Sequence, residues 1–160
     1  MPEPLMHTVN GGCHCGNILV QMQLTREPAA WVPRACDCDF CRTHGAAWVS
    51  DPSGSLLIRI GDESRAGAYR QGSGTAEMLV CRTCGVLVGA LYRDAPRKYA
   101  VVNVRAVDPR SRFGAEQPVS PKALPATARV RRWQEIWFSN VTITPGDAPT
   151  AGGAGVTQHD

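Results

Sequence analysis

Apolar and polar residues alternate along several short segments of the chain. The clearest case is residues 17–24, where every second residue from Ile18 to Leu24 is a large apolar one and two of the residues between them are glutamines. A period of two residues is typical of a β-strand with one buried face. We therefore predict a strand over 17–24.

Six more segments have the composition of short strands. They are residues 46–50, 55–60, 66–70, 76–81, 86–92 and 99–104. Turn residues separate such segments at intervals of about 8 to 12 residues, which favours antiparallel sheets over a parallel α/β arrangement. No long amphipathic helix is evident. The sequence predicts a mainly β protein built from antiparallel sheets, with little helix.

The remaining regions have weaker patterns. Pro28 and Pro33 argue against a long helix between Cys15 and Cys36. Residues 108–127 contain four prolines and little periodicity, so we expect an irregular crossing of the surface, while the aromatic residues of 131–138 indicate an anchoring element of uncertain type. From residue 146 the chain is mostly Gly, Ala, Pro and Thr, which predicts one domain over 1–145 and a flexible tail over 146–160.

Composition and charge exclude some classes of function. The chain has 160 residues, 43% of them hydrophobic and 19% charged, and a net charge of +3, which is too small to argue for a nucleic-acid partner. The longest apolar runs fall far short of the ~20 residues that a membrane-spanning helix needs. Residues 1–10 lack the apolar stretch of a secretory signal, so we expect a cytoplasmic protein without a membrane partner.

The positions of the cysteines indicate a more specific function. In a reducing cytoplasm, clustered thiols are typical of metal or redox sites and not of disulfides. All seven cysteines fall into three short motifs. The motifs are Cys13 and Cys15; Cys36, Cys38 and Cys41; and Cys81 and Cys84. None of the seven lies outside a motif, so metal ligation is the leading interpretation.

The first and third motifs together supply four thiolates, the ligand set of a closed structural zinc site. If Cys13 and Cys15 lie in a strand, their side chains share a face and both reach one ion. Cys81 and Cys84 belong to a C-x-x-C-G turn, where Gly85 tolerates a positive φ. Such a site would tie the N-terminal strand to the middle of the sheet.

The middle motif supplies three sulfurs. Three protein ligands leave one tetrahedral position for water or a substrate thiol, which is the pattern of catalytic zinc. A thiol bound at such an ion loses its proton, so a substrate mercapto group would be presented as the thiolate.

Two other ligand sets satisfy the same spacings. Cys38 and Cys41 with Cys81 and Cys84 would make an ordinary zinc ribbon, leaving the other three cysteines as ordinary thiols. Alternatively His44 closes the fourth position of the middle site and makes it structural. The spacing of the cysteines alone does not decide between these ligand sets.

Charged residues flank the motifs. Arg42 and Arg82 each follow a cysteine and could offset the excess negative charge of the thiolates, although solvated surface arginines are equally frequent there. Asp37 and Asp39 are interleaved with the cysteines and could act as acid or base groups or simply cap the turn.

The three motifs, in their order, closely resemble those of the glutathione-dependent formaldehyde-activating enzyme family, which also includes centromere protein V. The resemblance covers about half of the chain, from Gly11 to Leu91. It is carried by Gly11-Gly12-Cys13-His14-Cys15-Gly16, Cys36-Asp37-Cys38-Asp39-Phe40-Cys41-Arg42 and Cys81-Arg82-Thr83-Cys84-Gly85.

The resemblance implies an Mss4-like fold, two zinc ions per chain and a carbon–sulfur lyase activity that makes S-hydroxymethylglutathione from glutathione and formaldehyde. It assigns the first and third motifs to the structural zinc. It assigns Cys36, Cys38 and Cys41 to the open, catalytic zinc, which would bind the glutathione sulfur. Members commonly carry a histidine before an aromatic segment near the C-terminus, whereas residues 119–138 here contain no histidine.

The identity of the substrate and of the partner is less closely defined than the set of metal ligands. The resemblance implies formaldehyde or another small aldehyde as the second reactant. The alternative function is a non-catalytic zinc β module that carries glutathione or binds a protein. Four arginines could meet glutathione carboxylates, but their scatter along the sequence predicts nothing by itself. They are Arg65, Arg70, Arg93 and Arg97.

Overall fold

The computed structural model describes residues 3–145, which form eleven β-strands and two α-helices. The strands are β1 (His7–Gly12), β2 (Ile18–Leu24), β3 (Arg34–Cys36), β4 (Trp48–Val49), β5 (Ser55–Ile60), β6 (Ala66–Arg70), β7 (Glu77–Cys81), β8 (Leu87–Asp94), β9 (Arg97–Asn103), β10 (Gln117–Val119) and β11 (Val141–Pro145). The helices are α1 (Asp39–His44) and α2 (Ala126–Ile136).

The strands form two sheets. One has the order β1-β2-β5-β11, and the other has the order β10-β3-β4-β9-β8-β7-β6. Neighbouring strands are antiparallel except for β10 beside β3 and β11 beside β5, which are parallel. The predicted fold class, mainly β with antiparallel sheets and little helix, is confirmed.

The main hydrophobic core joins the two sheets. Every second residue of β2, from Ile18 to Leu24, is buried, as the alternating pattern predicts. These side chains share one cluster with Val88 of β8, Val102 of β9 and the fully buried Phe138. Burying large apolar side chains from both sheets in one cluster is what holds the layers together.

A second, smaller core lies against the same seven-stranded sheet. Along β9, Ala100 and Val102 belong to the main core, whereas Tyr99 and Val101 belong to the second. Alternate residues of a strand point to opposite faces, so β9 is buried on both faces. Trp137, which directly follows α2, completes the second core. The apolar run that predicts β9 is continuous for this reason.

Helix α2 departs from the sequence prediction. Residues 108–127 are not irregular throughout, because they contain β10 and the start of α2, and most of 131–138 is helical. The helix begins after Pro125, which provides no side-chain cap, so its start carries no sequence signal. Its apolar side shows in the spacing of Trp133 and Ile136, which both pack against the second core. We infer that packing against the second core stabilises α2.

Neither α-helix in the described part of the chain has the length and hydropathy to span a membrane. The predicted tail, 146–160, lies outside the described residues.

Candidate metal centres

The thiols of the first and third motifs come together in one group, which we call the four-thiol cluster. Its members are Cys13, Cys15, Cys81 and Cys84, whose sulfurs all lie within 4.8 Å of one another. The Sγ atoms of Cys13 and Cys15 are 3.7 Å apart, and those of Cys15 and Cys81 are 3.5 Å apart. One pair comes from the β1–β2 connection and the other from the β7–β8 connection.

The first pair does not lie in a strand, contrary to the sequence prediction. Strand β1 ends at Gly12, and Cys13 and Cys15 occupy the turn before β2. The Cys13 amide donates to the Ile18 carbonyl at 2.8 Å, and the Gly16 amide donates to the Cys13 carbonyl at 3.2 Å. The turn, rather than the pleat of a strand, directs both sulfurs to one point.

The second pair has the predicted turn geometry. Cys81 ends β7, and the Gly85 amide donates to the Cys81 carbonyl at 2.8 Å. Gly85 has a φ of 79°, in agreement with the prediction that this glycine accommodates a positive φ.

The four-thiol cluster fits a zinc ion. Zn–S bonds of about 2.3 Å in a tetrahedron place the sulfurs about 3.8 Å apart, close to the two separations above. Two N–H groups point at the sulfurs, from the Ile18 amide to Cys13 at 3.2 Å and from the Arg65 guanidinium to Cys15 at 3.6 Å. Such donors favour thiolates, which are the soft ligands that zinc accepts.

Without metal, two thiols of the four-thiol cluster have pKa values that are shifted in opposite directions. Burial raises the pKa of Cys13 to about 12. Burial also acts to raise the pKa of Cys84, but hydrogen bonds from the backbone of Cys15 and Val86 and from the Cys81 thiol outweigh it and lower that pKa to about 6. At neutral pH a thiolate is thus available to receive a metal ion, and binding releases the remaining protons.

The middle motif forms a second group, which we call the three-thiol cluster. Cys36 ends β3, Cys38 is the N-cap residue of α1, and Cys41 lies in the first turn of α1. Their sulfurs lie within 4.8 Å of one another, and no other His, Cys, Asp or Glu of residues 3–145 joins them. The Cys41 amide donates to the Cys38 sulfur at 3.4 Å. The strand end and the helix start therefore gather three ligands from six residues.

The structure separates the residues that the two rival ligand sets require. A zinc ribbon needs Cys38 and Cys81 in one group, but they belong to different clusters. His44 lies at the end of α1, where its Nδ1 is 2.9 Å from the Phe40 carbonyl, and it is not part of the three-thiol cluster. Neither alternative pairing is formed.

Charge in the three-thiol cluster is concentrated on one sulfur. A hydrogen bond from Cys41 lowers the pKa of Cys36 to about 6. The same bond, together with burial, raises the pKa of Cys41 far above its ordinary value. Without metal, the shared hydrogen bond therefore favours the thiolate at Cys36 and the protonated thiol at Cys41.

The three-thiol cluster lines a cavity of about 200 Å³. Three tryptophans form much of its apolar wall, namely Trp48, Trp133 and Trp137. Three arginines also line it: Arg34 of β3 and Arg129 and Arg132 of α2. The cavity thus places an apolar surface and three positive charges beside the thiols.

These three arginines were not identified from the sequence. Burial and the charge of Arg132 lower the pKa of Arg34 to about 10. The available signal was spacing, since Arg129, Arg132 and Trp133 stand at i, i+3 and i+4 and share a helix face. The signal is readable only once the segment is known to be helical.

The charged residues that the sequence singled out lie elsewhere. Arg42 and Arg82 are exposed, and in the described residues neither forms a hydrogen bond to a cysteine sulfur. The Asp37 carboxylate is 3.8 Å from the Lys122 ammonium, and Asp39 lies in the first turn of α1. The four scattered arginines are absent from the cavity wall, although Arg65 contacts the four-thiol cluster.

Comparison with known proteins agrees with this geometry. The family model described as glutathione-dependent formaldehyde-activating enzyme matches residues 8–123, which contain both thiol clusters. A Rhodobacter sphaeroides protein of known crystal structure is 33% identical to this chain, with a TM-score of 0.50 over 68% of this chain and 99% of that one. No curated protein matches significantly. The match to the family model shows that the chain belongs to the glutathione-dependent formaldehyde-activating enzyme family.

Proposed function

We propose that this protein is a zinc-dependent carbon–sulfur lyase that, in the synthetic direction, joins a small thiol such as glutathione to formaldehyde or another small aldehyde. One observation carries the proposal. The three-thiol cluster has no fourth ligand among residues 3–145 and lines a cavity large enough for a small molecule. The family is named for glutathione-dependent formaldehyde activation, which supports this reaction class.

Two metal ions have separate roles in the proposal. The four-thiol cluster would hold a structural zinc ion, and Cys36, Cys38 and Cys41 would hold the second. Zinc held by these three sulfurs would lower the pKa of a thiol in the fourth position and so would supply a nucleophilic substrate sulfur at neutral pH.

The chain itself supplies a site that limits access of water. Trp48, Trp133 and Trp137 line the cavity beside the three sulfurs, and an apolar wall restricts water around the reacting atoms. In the reaction the substrate sulfur bonds to the carbonyl carbon of the aldehyde, and the π bond of the carbonyl breaks. The proton that leaves the sulfur ends on the new hydroxyl oxygen, so the adduct contains every atom of both reactants.

The decisive experiment measures exchange rates, because thiols add to formaldehyde readily without a catalyst. Protein loaded with zinc is mixed with glutathione and carbon-13 formaldehyde, and the exchange between free and adduct carbon is followed by NMR. We expect the rate to rise in proportion to protein concentration and to return to the uncatalysed value in Cys38→Ser. Binding of the adduct without faster exchange would instead indicate the carrier module.

A further inference from the structure

We propose that Arg129 and Arg132, together with Arg34, bind a carboxylate of the thiol substrate and so restrict the cavity to acidic thiols. The inference rests on the proposed function for the ligand being a thiol, whereas the anion site itself rests on the geometry below. It makes these arginines specificity residues of the cavity.

Three guanidinium groups converge on one cavity from two elements. Arg34 lies on β3, two residues before the first thiol of the cluster, and Arg129 and Arg132 lie one turn apart on α2. All three line the cavity together with the three thiols. Like charges brought together in this way repel one another, and an anion bound among them relieves that repulsion.

Apart from the sulfurs of the three-thiol cluster itself, the described part of the chain does not provide that anion. Residues 3–145 contain five ion pairs, and none of them involves these three arginines. The Nε of Arg129 is buried without a hydrogen-bond partner. Arg34 donates to the Ser50 hydroxyl at 2.7 Å, which is a neutral acceptor. A buried donor on a charged group without an acceptor is costly, so a ligand that accepts from it gains affinity.

The metal centre does not account for all of this charge. Three thiolates and one divalent ion carry a net charge of −1, which offsets one guanidinium group. Two positive charges remain. Lys122 also lines the cavity, but its ammonium is already 3.8 Å from the Asp37 carboxylate.

A carboxylate is the anion that suits these residues. The planar guanidinium fork matches a carboxylate through two parallel hydrogen bonds. The tryptophan wall beside the arginines offers an apolar surface for the aliphatic part of the same molecule. A small thiol acid would place its sulfur at the three-thiol cluster and its carboxylate at the arginines.

Binding in the unmutated zinc-loaded protein is the first test. The probe is S-methylglutathione, which keeps both carboxylates and has no free thiol, and the control ligand is the same compound with both carboxylates converted to carboxamides. Binding is read by calorimetry and by tryptophan fluorescence, since three of the four tryptophans line the cavity. We expect the carboxamide to bind at least about tenfold more weakly.

Substitutions then locate the effect. Arg129→Gln and Arg132→Gln should each weaken S-methylglutathione binding by about tenfold to about a hundredfold, while changing carboxamide binding little. Arg131→Gln is the matched control, because Arg131 lies on the same helix, is exposed and does not line the cavity. It should leave both affinities unchanged.

Equal binding of acid and carboxamide, no binding of either, or an equal loss in Arg131→Gln would overturn the inference. The first comparison needs no substitution, so misfolding of a variant does not block it. The two proposals fail separately. Carboxylate-dependent binding without faster adduct exchange would reject the lyase and keep the anion site. Catalysis with unchanged thiol preference in Arg129→Gln would reject the anion site and keep the lyase.

Discussion

The two thiol clusters use the same residue type in different surroundings. The four-thiol cluster joins two turns from distant parts of the sequence, and its Cys13 and Cys81 are buried in the main core between the sheets. The three-thiol cluster comes from one segment, residues 36–41, and borders the second core and the cavity. The first has four sulfurs, enough for a tetrahedral metal site, and the second has three.

Sequence separation explains why the clusters should differ in their effect on stability. A metal ion in the four-thiol cluster would cross-link residues that are 66 positions apart, such as Cys15 and Cys81, and closing so long a loop lowers the entropy of the unfolded chain. An ion in the three-thiol cluster closes only a short loop and restricts the unfolded chain little. The four-thiol cluster should therefore control folding, and the three-thiol cluster should control chemistry.

The largest expected effect is loss of stability in Cys81→Ser. This side chain is fully buried, with its sulfur 3.5 Å from that of Cys15, so the variant lacks a ligand and buries a hydroxyl among sulfurs. We expect a decrease in unfolding free energy of about 4 kcal/mol or more, together with loss of bound metal. Thermal unfolding by circular dichroism and metal analysis by mass spectrometry measure the two quantities. A melting temperature within about 2 °C of the unmutated protein would contradict a structural role.

Second in size is the loss of activity in Cys38→Ser. Because Cys38 is the half-exposed N-cap residue of α1 and serine also caps helices well, the fold should change by only about 1 kcal/mol. One of two metal ions should be lost, and the catalysed part of adduct exchange should fall at least about a hundredfold. Retention of both ions at full exchange rate would show that the three-thiol cluster is not the reactive site.

Much of the sheet structure could be predicted from the sequence because the strands carry local signals. Strand β2 alternates with a period of two, and β9 is an apolar run bounded by turns, so each pattern reflects its own burial. Strands β1, β3, β10 and β11 were missed. Strands β1 and β3 include glycines or cysteines of the thiol clusters, whose placement follows the site rather than strand propensity. Strands β10 and β11 are edge strands that each contain a proline, which weakens the strand signal.

The candidate site, too, could be predicted from the sequence only in part. Grouping Cys13 with Cys81 agrees with the prediction made from paired spacing and family resemblance, although Cys13 lies in a turn and not in a strand. The cavity could not be predicted, because Arg129 and Arg132 reach it only through the packing of α2 on the second core. Helix α2 starts without a capping side chain, so its tertiary contacts, rather than local sequence, decide that it forms.

A chelator should distinguish the clusters by order of metal loss. The fourth position of the three-thiol cluster would be open to an added ligand, whereas four sulfurs surround the ion in the other cluster. We expect the first ion to leave while circular dichroism is unchanged, with alkylation appearing at Cys36, Cys38 and Cys41 before any of the other four. Native mass spectrometry and peptide mapping follow the two events. Simultaneous loss of both ions would remove the distinction between structural and open sites.

The smallest expected effect concerns Arg65, which supports the four-thiol cluster from outside. Its guanidinium donates to the Cys15 sulfur at 3.6 Å and to the Thr83 hydroxyl at 2.7 Å, so it is held in place beside the cluster. Arg65→Gln should lower metal affinity at this cluster by about tenfold to about a hundredfold, measured by competition with a chromophoric chelator. Arg82→Gln is the control, because Arg82 follows Cys81 directly in the sequence but is exposed and has no bond to a cluster sulfur in the described residues. An equal loss in both variants would indicate that general positive charge near the turn, rather than the Arg65–Cys15 contact, stabilises the thiolates.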